Sequence, residues 1–258
     1  MNCIEKDLST KDLSTKDQAI VVTEKKKRPP KIPLQPFMFS ESSIIEIGVD
    51  EAGRGPMMGR VYTAAVILPK DDASFSHHLM KDSKKFTSPK KIQEAAEYIK
   101  ANCIAYHISY EDERVIDEIN ILQATQKSMA VSITGVIHKY ITSDHWSKTD
   151  KLQLLIDGNY FNPYWTMNKQ RGIIESVPHV CVVGGDNKFT SIAAASILAK
   201  VARDQYIADL CEANPELVEK YSIDSNKGYG SKKHMDGILA HGITIWHRRS
   251  FGICKNYV

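Results

Sequence analysis

The sequence has no long apolar run and no apolar stretch close to its N-terminus. A membrane-spanning helix needs about 20 consecutive apolar residues, and no run approaches that length. The first residues also lack the apolar core of a secretion signal. We therefore expect a cytoplasmic protein that does not contact membranes.

Cysteine is scarce, and the charge is nearly balanced. The five cysteines are scattered and form no CxxC pair, which argues against a disulfide framework or a zinc site and favours a reducing compartment. A net charge of +3 over 258 residues gives no indication that the chain as a whole binds nucleic acid. Any such indication must come from local basic clusters.

The first 43 residues have the composition of an extension. The pentapeptide KDLST occurs twice in succession, and the basic cluster KKKRPPK has Lys25 and Lys31 at its ends. Because this segment can bury little apolar surface, we expect residues 1–43 to be disordered and residues 44–258 to form the folded part. The basic cluster has three interpretations: a solvated linker, a nonspecific nucleic-acid contact, or a nuclear import signal.

A strand that ends in two carboxylates organises the folded part. Apolar and polar residues alternate from Ile45 to Asp50, with the two-residue period of a β-strand. Glu51 follows directly, then the turn Gly53-Arg54-Gly55, and then a second apolar run. An acidic pair before a glycine is often ordinary turn chemistry. Because neighbouring strand residues point to opposite faces, we expect the strand to turn already at Glu51 if both carboxylates serve one site.

Two further apolar runs end at carboxylates. Residues 152–156 lead into Asp157, and residues 177–183 lead through two glycines into Asp186. Carboxylate oxygens are the ligands that Mg²⁺ and Mn²⁺ prefer. Two such ions about 4 Å apart can activate a water and stabilise the leaving oxygen of a phosphodiester. Clustered carboxylates also repel one another, so they require cations or raised pKa values.

Apolar residues recur at helical spacing in four segments. Ser88 begins the first helix, and Asn120 caps a second that reaches about Tyr140. A third covers residues 189–209 and is rich in small side chains, and Ser231 caps a fourth. With the strands, these segments predict an α/β fold, in which helices flank a mixed β-sheet and helical elements are added at the C-terminus from about residue 226.

The motif DEAGRGP, which begins at Asp50, resembles the first signature of the type 2 ribonucleases H in their bacterial-type form, the ribonuclease HII family. The resemblance covers nearly all of residues 44–258 and includes six more strings in order. These are KDSKKFTSPKK at 81–91, DEINILQATQKSM at 117–129, LLIDGN at 154–159, GDNKFTSIAAASILAKVARD at 185–204, GYGSKKH at 228–234 and HRRSF at 247–251.

The resemblance implies a ribonuclease H-like fold and a metal-dependent endoribonuclease. Such an enzyme cuts the RNA strand of RNA/DNA hybrids, and also 5′ of single ribonucleotides in duplex DNA, and leaves 5′-phosphate and 3′-hydroxyl ends. These activities remove RNA primers and misincorporated ribonucleotides. The family would use Asp50, Glu51, Asp157 and Asp186 as catalytic residues and as ligands of two Mg²⁺ or Mn²⁺ ions. We expect a monomer.

The resemblance also implies the substrate contacts. Gly53, Arg54 and Gly55 would contact the ribonucleotide around its 2′-OH, the group that distinguishes RNA from DNA. Tyr229 would stack on the sugar of the next nucleotide, although a tyrosine between glycines is often only a loop anchor. Glycine follows it here, where the family usually has proline.

Basic residues complete the expected contacts. Lys84, Lys85 and Lys200 would contact phosphates, although the first two are also compatible with a solvated turn. The cluster His247-Arg248-Arg249 would either grip the duplex backbone or cap the final structure. We expect Asp204 to form an ordinary ion pair or to have a supporting role, outside the catalytic set.

Two other functions remain as alternatives. The first is a nucleic-acid-binding protein that has the same fold and no activity. The second is a different two-metal phosphoesterase, such as an exonuclease. The presence of all four carboxylates argues against the first, and the Gly53-Arg54-Gly55 turn and Tyr229 argue against the second.

Overall fold

The computed structural model describes residues 33–71, 73–168 and 172–257. Its centre is a five-stranded sheet in the order β3-β2-β1-β4-β7. The strands are β1 (Ile44–Ala52), β2 (Val61–Ile67), β3 (Ala105–Glu111), β4 (Lys151–Asp157) and β7 (His179–Val182). A separate hairpin of β5 (Trp165–Asn168) and β6 (Ile173–Ser176), which the sequence did not predict, lies outside this sheet.

The sheet is mixed, as predicted. Strand β1 pairs antiparallel with β2, and β2 pairs antiparallel with β3. On its other edge β1 pairs parallel with β4, which pairs parallel with β7. Because parallel strands end on the same side of a sheet, the C-terminal ends of β1, β4 and β7 lie together.

Helices cover both faces of the sheet. The helices are α1 (Pro89–Asn102), α2 (Glu113–Ile141), α3 (Thr190–Ala213), α4 (Glu216–Tyr221), α5 (Ile223–Asn226) and α6 (Lys232–His241). Helices α1 and α3 share one apolar core with one face of the sheet, and α2 shares a second core with the other face. No helix in the described ranges combines the length and the apolar character that crossing a membrane requires.

Helix α3 lies very close to β1. Its alanines 193–195 and Ala199 are fully buried, and these small side chains permit the close approach of the helix to the sheet. The closest point is at Gly48, where an added Cβ would lie 2.2 Å from the carbonyl carbon of Ser191. No side chain fits there, because the clash would be with main chain.

Helix α2 is broken at Asn120, which has φ 67° and ψ 162°. Its side-chain oxygen accepts a hydrogen bond from the N–H of Gln123 at 3.1 Å. The predicted cap at Asn120 is therefore confirmed. A short helical segment precedes it, because the side chain of Asp112 caps an earlier start by accepting from the N–H of Val115.

Part of the predicted extension belongs to the folded unit. Gln35 donates its N–H to the carbonyl of Lys188, and its own carbonyl accepts from Thr190. The N–H groups of Met38 and Phe39 both donate to the carboxylate of Glu46. The boundary at residue 43 is thus corrected: residues 33–43, whose apolar side chains have no regular period, pack on the domain. Residues 1–32 lie outside the described residues.

The C-terminal helical part begins at Glu216, earlier than the predicted start near residue 226. Ser231 caps α6, as predicted, by accepting from the N–H of His234. This part has its own apolar core, which includes Met57 and Met58 from the turn after β1. The C-terminal helices are therefore packed directly against the turn that carries the DEAGRGP motif.

We expect Gly48→Ala to lower the free energy of unfolding by at least about 1–3 kcal/mol, because overpacking a tight contact costs that much and the neighbour here is main chain. Ser191→Ala is the matched control. The hydroxyl of Ser191 is buried without a hydrogen-bond partner among the described residues, so its removal should be neutral or slightly stabilising. Urea unfolding of both variants measures this. Equal stability of Gly48→Ala and wild type would contradict the close packing.

Candidate active site

A cleft of about 450 Å³ opens at the ends of β1 and β4, and ten of the eleven predicted site residues line it. The eleventh, Lys85, donates instead to the side chain of Asn187. The ten are Asp50, Glu51, Gly53, Arg54, Gly55, Lys84, Asp157, Asp186, Lys200 and Tyr229.

Asp50 is the most deeply buried of the predicted carboxylates, with 4% of its surface exposed. Its Oδ1 accepts a hydrogen bond from the N–H of Glu51 at 2.7 Å. Burial raises the pKa of Asp50 well above its ordinary value, and the nearby charges of Glu51 and Asp157 raise it further. This carboxyl therefore holds a proton more strongly than a free aspartate does.

Asp50 and Glu51 start from opposite faces of β1, as neighbours in a strand must. The expected turn at Glu51 is wrong, because β1 stays paired with β2 beyond this residue. On the other edge, pairing with β4 ends at Val49 and Ile156. Among the residues that the structure describes, no strand then lies beside Glu51 on that edge, and its carboxylate reaches the same cleft. In the cleft, Nη1 of Arg54 lies 3.2 Å from Oε1 of Glu51. Burial raises the pKa of Glu51.

Asp157 and Asp186 are held by local main-chain geometry. Asp157 is the last residue of β4, and its Oδ1 accepts from the N–H of Gly185 at 2.7 Å. Asp186 lies in a 3₁₀ turn at Gly185–Asn187, and its Oδ1 accepts from the side chain of Asn187. Burial raises the pKa of Asp186, and the charges of Asp82 and Asp157 add to the effect.

Asp82 and Asn187 are two site neighbours that the sequence reasoning missed. Asp82 is buried, and it caps the 3₁₀ turn Ser83–Lys85 by accepting from the N–H of Lys84. Its other oxygen accepts from the side chain of Asn187 at 3.1 Å. Asp82 lies in the motif KDSKKFTSPKK and Asn187 in the motif GDNKFTSIAAASILAKVARD, so their places inside these motifs could have identified them as site residues. Asn187 thus links Asp82 with Asp186.

The donor set suits a hard divalent cation. Four carboxylates line one cleft, and three of them have raised pKa values because of burial and mutual repulsion. A bound cation would relieve that repulsion. Within the described ranges, no three His, Cys, Asp or Glu side chains stand close enough to hold one ion together. Water and substrate oxygens would therefore complete the coordination, as Mg²⁺ commonly requires.

Two lysines supply positive charge to the same cleft. Lys84 lies on the 3₁₀ turn Ser83–Lys85, and Lys200 extends from α3. Nζ of Lys200 lies 2.8 Å from a carboxylate oxygen of Asp204. Asp204 therefore forms the ion pair that the sequence predicted.

The turn after β1 is packed on a buried arginine that the sequence reasoning did not single out. Gly53 has φ 91°, and a Cβ there would lie 2.2 Å from Nε of Arg203. Only glycine satisfies both constraints. Arg203, in α3, is 2% exposed and donates to the carbonyls of Lys227, Arg60 and Met58.

Tyr229 lies beside the same turn. Its ring carbon Cε1 is 3.5 Å from where a Cβ of Gly55 would stand, and the guanidinium of Arg203 lies 5.8 Å from the ring centre. About half of its surface is exposed. The tyrosine and the turn therefore form adjacent parts of the cleft wall.

The basic cluster near the C-terminus is divided between the interior and the surface. His247 and Arg248 are buried, whereas Arg249 is exposed. The N–H of Arg249 donates to the carboxylate of Asp117. The predicted contact with the duplex backbone is therefore wrong for His247 and Arg248, because their side chains are buried inside the folded structure.

Comparison with known proteins agrees with the family that the sequence motifs resemble. The family model described as Ribonuclease HII matches residues 47–254. A ribonuclease HII from Cytophaga hutchinsonii is 39% identical over 213 residues, which cover 83% of this chain and 92% of the relative. The structure of ribonuclease H2 from Pyrococcus horikoshii superposes with a TM-score of 0.60 at 20% identity, covering 83% of this chain and 96% of that one. Bst-RNase HIII in complex with Mn²⁺ superposes with a TM-score of 0.56 at 18% identity, covering 83% and 69%.

The superposed structures show that this mixed sheet has the ribonuclease H-like fold, and the family match makes the chain a metal-dependent nuclease of that fold. Within that class, the chain belongs to the ribonuclease HII family, because the family model and the relative cover most of its length. Members of this family are endonucleases that hydrolyse RNA in RNA/DNA hybrids.

We expect Asp50→Asn to raise the Tm of the metal-free protein at about pH 8. Since the pKa of Asp50 is raised in the folded state, the folded state binds its proton more tightly than the unfolded chain. The free energy of unfolding therefore falls as pH rises above the ordinary aspartate pKa. Asparagine does not titrate, so it removes this loss of stability. A gain of about 1 kcal/mol in the free energy of unfolding corresponds to about 2–4 °C of Tm in a chain of this size. Calorimetry measures the shift.

Asp204→Asn is the control for this experiment, because its partly exposed ion pair should contribute little. Added Mg²⁺ should raise the Tm of wild type more than that of Asp50→Asn. If Asp50→Asn and wild type had the same Tm with and without Mg²⁺, repulsion at Asp50 would not be a feature of the site.

Proposed function

We propose that this protein cuts the RNA strand of RNA/DNA hybrids, and also cuts duplex DNA on the 5′ side of a single embedded ribonucleotide. The main support is that the carboxylates Asp50, Glu51, Asp157 and Asp186 line the same cleft as the turn Gly53-Arg54-Gly55 and Tyr229. One nucleotide in the cleft can therefore reach both the acidic groups suited to phosphodiester hydrolysis and the groups suited to recognising its sugar.

In this proposal the four carboxylates hold two Mg²⁺ or Mn²⁺ ions, a choice favoured by the all-oxygen donor set and by the Mn²⁺ complex of the related Bst-RNase HIII. When bound, such ions lower the pKa of a water and stabilise charge on the leaving oxygen. The products are then a 5′-phosphate and a 3′-hydroxyl. The buried carboxyl groups must release their protons for binding, so activity should rise with pH.

Lysines in the cleft would orient the phosphates. Lys84 and Lys200 line the cleft from two different elements, so they can contact phosphates on either side of the cut. The ion pair with Asp204 holds the Lys200 ammonium in place until a phosphate competes for it. Lys85 contacts Asn187, and its contact with substrate would require this bond to open.

Sugar recognition would come from the turn and the tyrosine. The turn has no side chain at Gly53 and Gly55, so substrate can approach its N–H groups, and a 2′-OH can accept or donate there. The exposed ring of Tyr229 can stack on the next sugar. We also propose that the protein acts inside the cell and as a monomer, since the ten predicted site residues that line the cleft come together without a contribution from a second copy.

The direct test is strand cleavage with Mg²⁺ or Mn²⁺ on three duplexes: all DNA, DNA with one ribonucleotide, and an RNA/DNA hybrid. We expect cuts 5′ of the ribonucleotide and within the hybrid, and no cut in DNA. Cleavage of the hybrid alone would remove the proposed single-ribonucleotide activity. No cleavage by folded protein would favour the binding protein without activity.

We expect Asp157→Asn to fold and to lose cleavage by about a thousandfold, because several kcal/mol of transition-state stabilisation depend on the metal site and 1.4 kcal/mol corresponds to tenfold. Asp209→Asn, an exposed position on the same protein, should retain full activity. Near-wild-type turnover in Asp157→Asn would exclude this carboxylate from the mechanism.

We expect Tyr229→Ala to reduce kcat/KM about tenfold on the single-ribonucleotide duplex and less on the hybrid, since stacking contributes about 1–3 kcal/mol. Tyr229→Phe keeps the ring and should keep the activity. Comparing the two substrates in the same preparation removes differences in protein concentration. An unchanged ratio in Tyr229→Ala would mean that the tyrosine only anchors its loop.

A further inference from the structure

The buried side chain of Arg248 is surrounded by the main chain of the turn after β1. Its guanidinium donates to the carbonyl oxygens of Gly53 at 2.6 Å, Arg54 at 3.0 Å, Pro56 at 2.8 Å and Gly59 at 2.8 Å. Burial and the charge of Arg203 lower the pKa of Arg248 to about 9, so it stays charged at neutral pH. A guanidinium can serve this many acceptors because its donors point in fixed, divergent directions.

These bonds determine which way the peptide groups of the turn face. The peptide bonds are trans, so the N–H of each peptide points opposite to its C=O. Because Arg248 donates hydrogen bonds to the carbonyls of Gly53 and Arg54, the N–H groups of Arg54 and Gly55, which belong to the same peptide units, point away from Arg248. The N–H of Met57 follows the same rule: it points away from Arg248 and donates to the carbonyl of Gly228 at 2.9 Å.

His247 reaches the Tyr229 side of the cleft through a second histidine. The N–H of Thr244 donates to Nδ1 of His247 at 2.9 Å, which leaves the proton of His247 on Nε2. That proton is donated to Nε2 of His234 at 3.0 Å, and Nδ1 of His234 donates to the carbonyl of Tyr229 at 3.0 Å. Each ring nitrogen of the two histidines therefore acts either as a donor or as an acceptor, and both rings are fully buried.

We propose that His247 and Arg248 are positioning residues for ribonucleotide recognition: Arg248 sets the donor face of the Gly53-Arg54-Gly55 turn, and His247, through His234, sets the main chain of Tyr229. The two residues are adjacent in sequence, so the two halves of the recognition surface are held at one fixed separation. The Met57-to-Gly228 bond joins them a second time. The inference rests on the proposed function, because it concerns how that cleft selects its substrate.

The first test compares Arg248→Lys with a control of similar instability, Ile133→Ala, in the core on the α2 side of the sheet. A lysine has one nitrogen and cannot serve four carbonyls that surround it. We expect kcat/KM on the single-ribonucleotide duplex to fall about tenfold or more in Arg248→Lys, at a temperature where both variants are folded. Ile133→Ala should stay within about twofold of wild type.

The second test examines His247 by a matched pair of variants. Gln places an amide nitrogen near the Nε2 position and can still donate to His234, whereas Asn retains only the acceptor near Nδ1. We expect His247→Asn to lower the ratio of kcat/KM on the single-ribonucleotide duplex to kcat/KM on the hybrid by about fivefold, and His247→Gln to keep most of it. In a Tyr229→Ala background, His247→Asn should have no further effect on this ratio.

The outcomes separate the inference from the proposed function. If wild type does not cut the single-ribonucleotide duplex, the proposed function fails. If wild type cuts it and Arg248→Lys and His247→Asn both keep the wild-type values, the inference fails and the function stands. If Arg248→Lys does not fold, the His247 pair decides the inference alone: an equal ratio in His247→Asn and His247→Gln would overturn it.

Discussion

The structure depends most on the repulsion among carboxylates that the sheet brings to one edge. Parallel pairing of β1 with β4 places Asp50 and Asp157 side by side at the strand ends, and the packing of α3 buries Asp50 almost completely. Burial and like charge act in the same direction, so the pKa of Asp50 is raised rather than lowered. A protein built only for stability would avoid this arrangement. It is favourable only when a cation, or a proton, shares the site.

The surrounding residues reduce this cost without removing it. Main-chain N–H groups stabilise Asp50 and Asp157, and Arg54 approaches Glu51 at the mouth of the cleft. Part of the nearby positive charge is engaged elsewhere, because Nζ of Lys200 is paired with Asp204 and the guanidinium groups of Arg203 and Arg248 donate to main-chain carbonyls. This arrangement suits the proposed binding of divalent cations, while the Gly53-Arg54-Gly55 turn is held by buried arginines.

The sequence predicts the catalytic edge better than the recognition surface. Strand period and carboxylate positions indicate where Asp157 lies, because a strand end is a local feature. The geometry at Glu51 was not predictable, since it depends on where β4 stops pairing with β1. Arg248 reads as one more surface charge in a basic cluster, yet it is fully buried. Its partners are nearly 200 residues away in the chain, and carbonyl groups carry no sequence signal. The same holds for residues 33–43, whose apolar side chains have no period.

In the proposed function, catalysis and recognition would therefore depend on different parts of the fold. Asp50, Glu51 and Asp157 lie on β1 and β4, Asp186 lies in the 3₁₀ turn after β7, and helices cover both faces of this sheet. The turn and Tyr229 are attached to the C-terminal part, through its apolar core with Met57 and Met58 and through the polar contacts of His247 and Arg248. If the proposed recognition is correct, a change in the C-terminal part would alter which sugar is accepted without altering the carboxylates. The converse would not hold, because the turn follows directly on β1, the strand that carries Asp50 and Glu51.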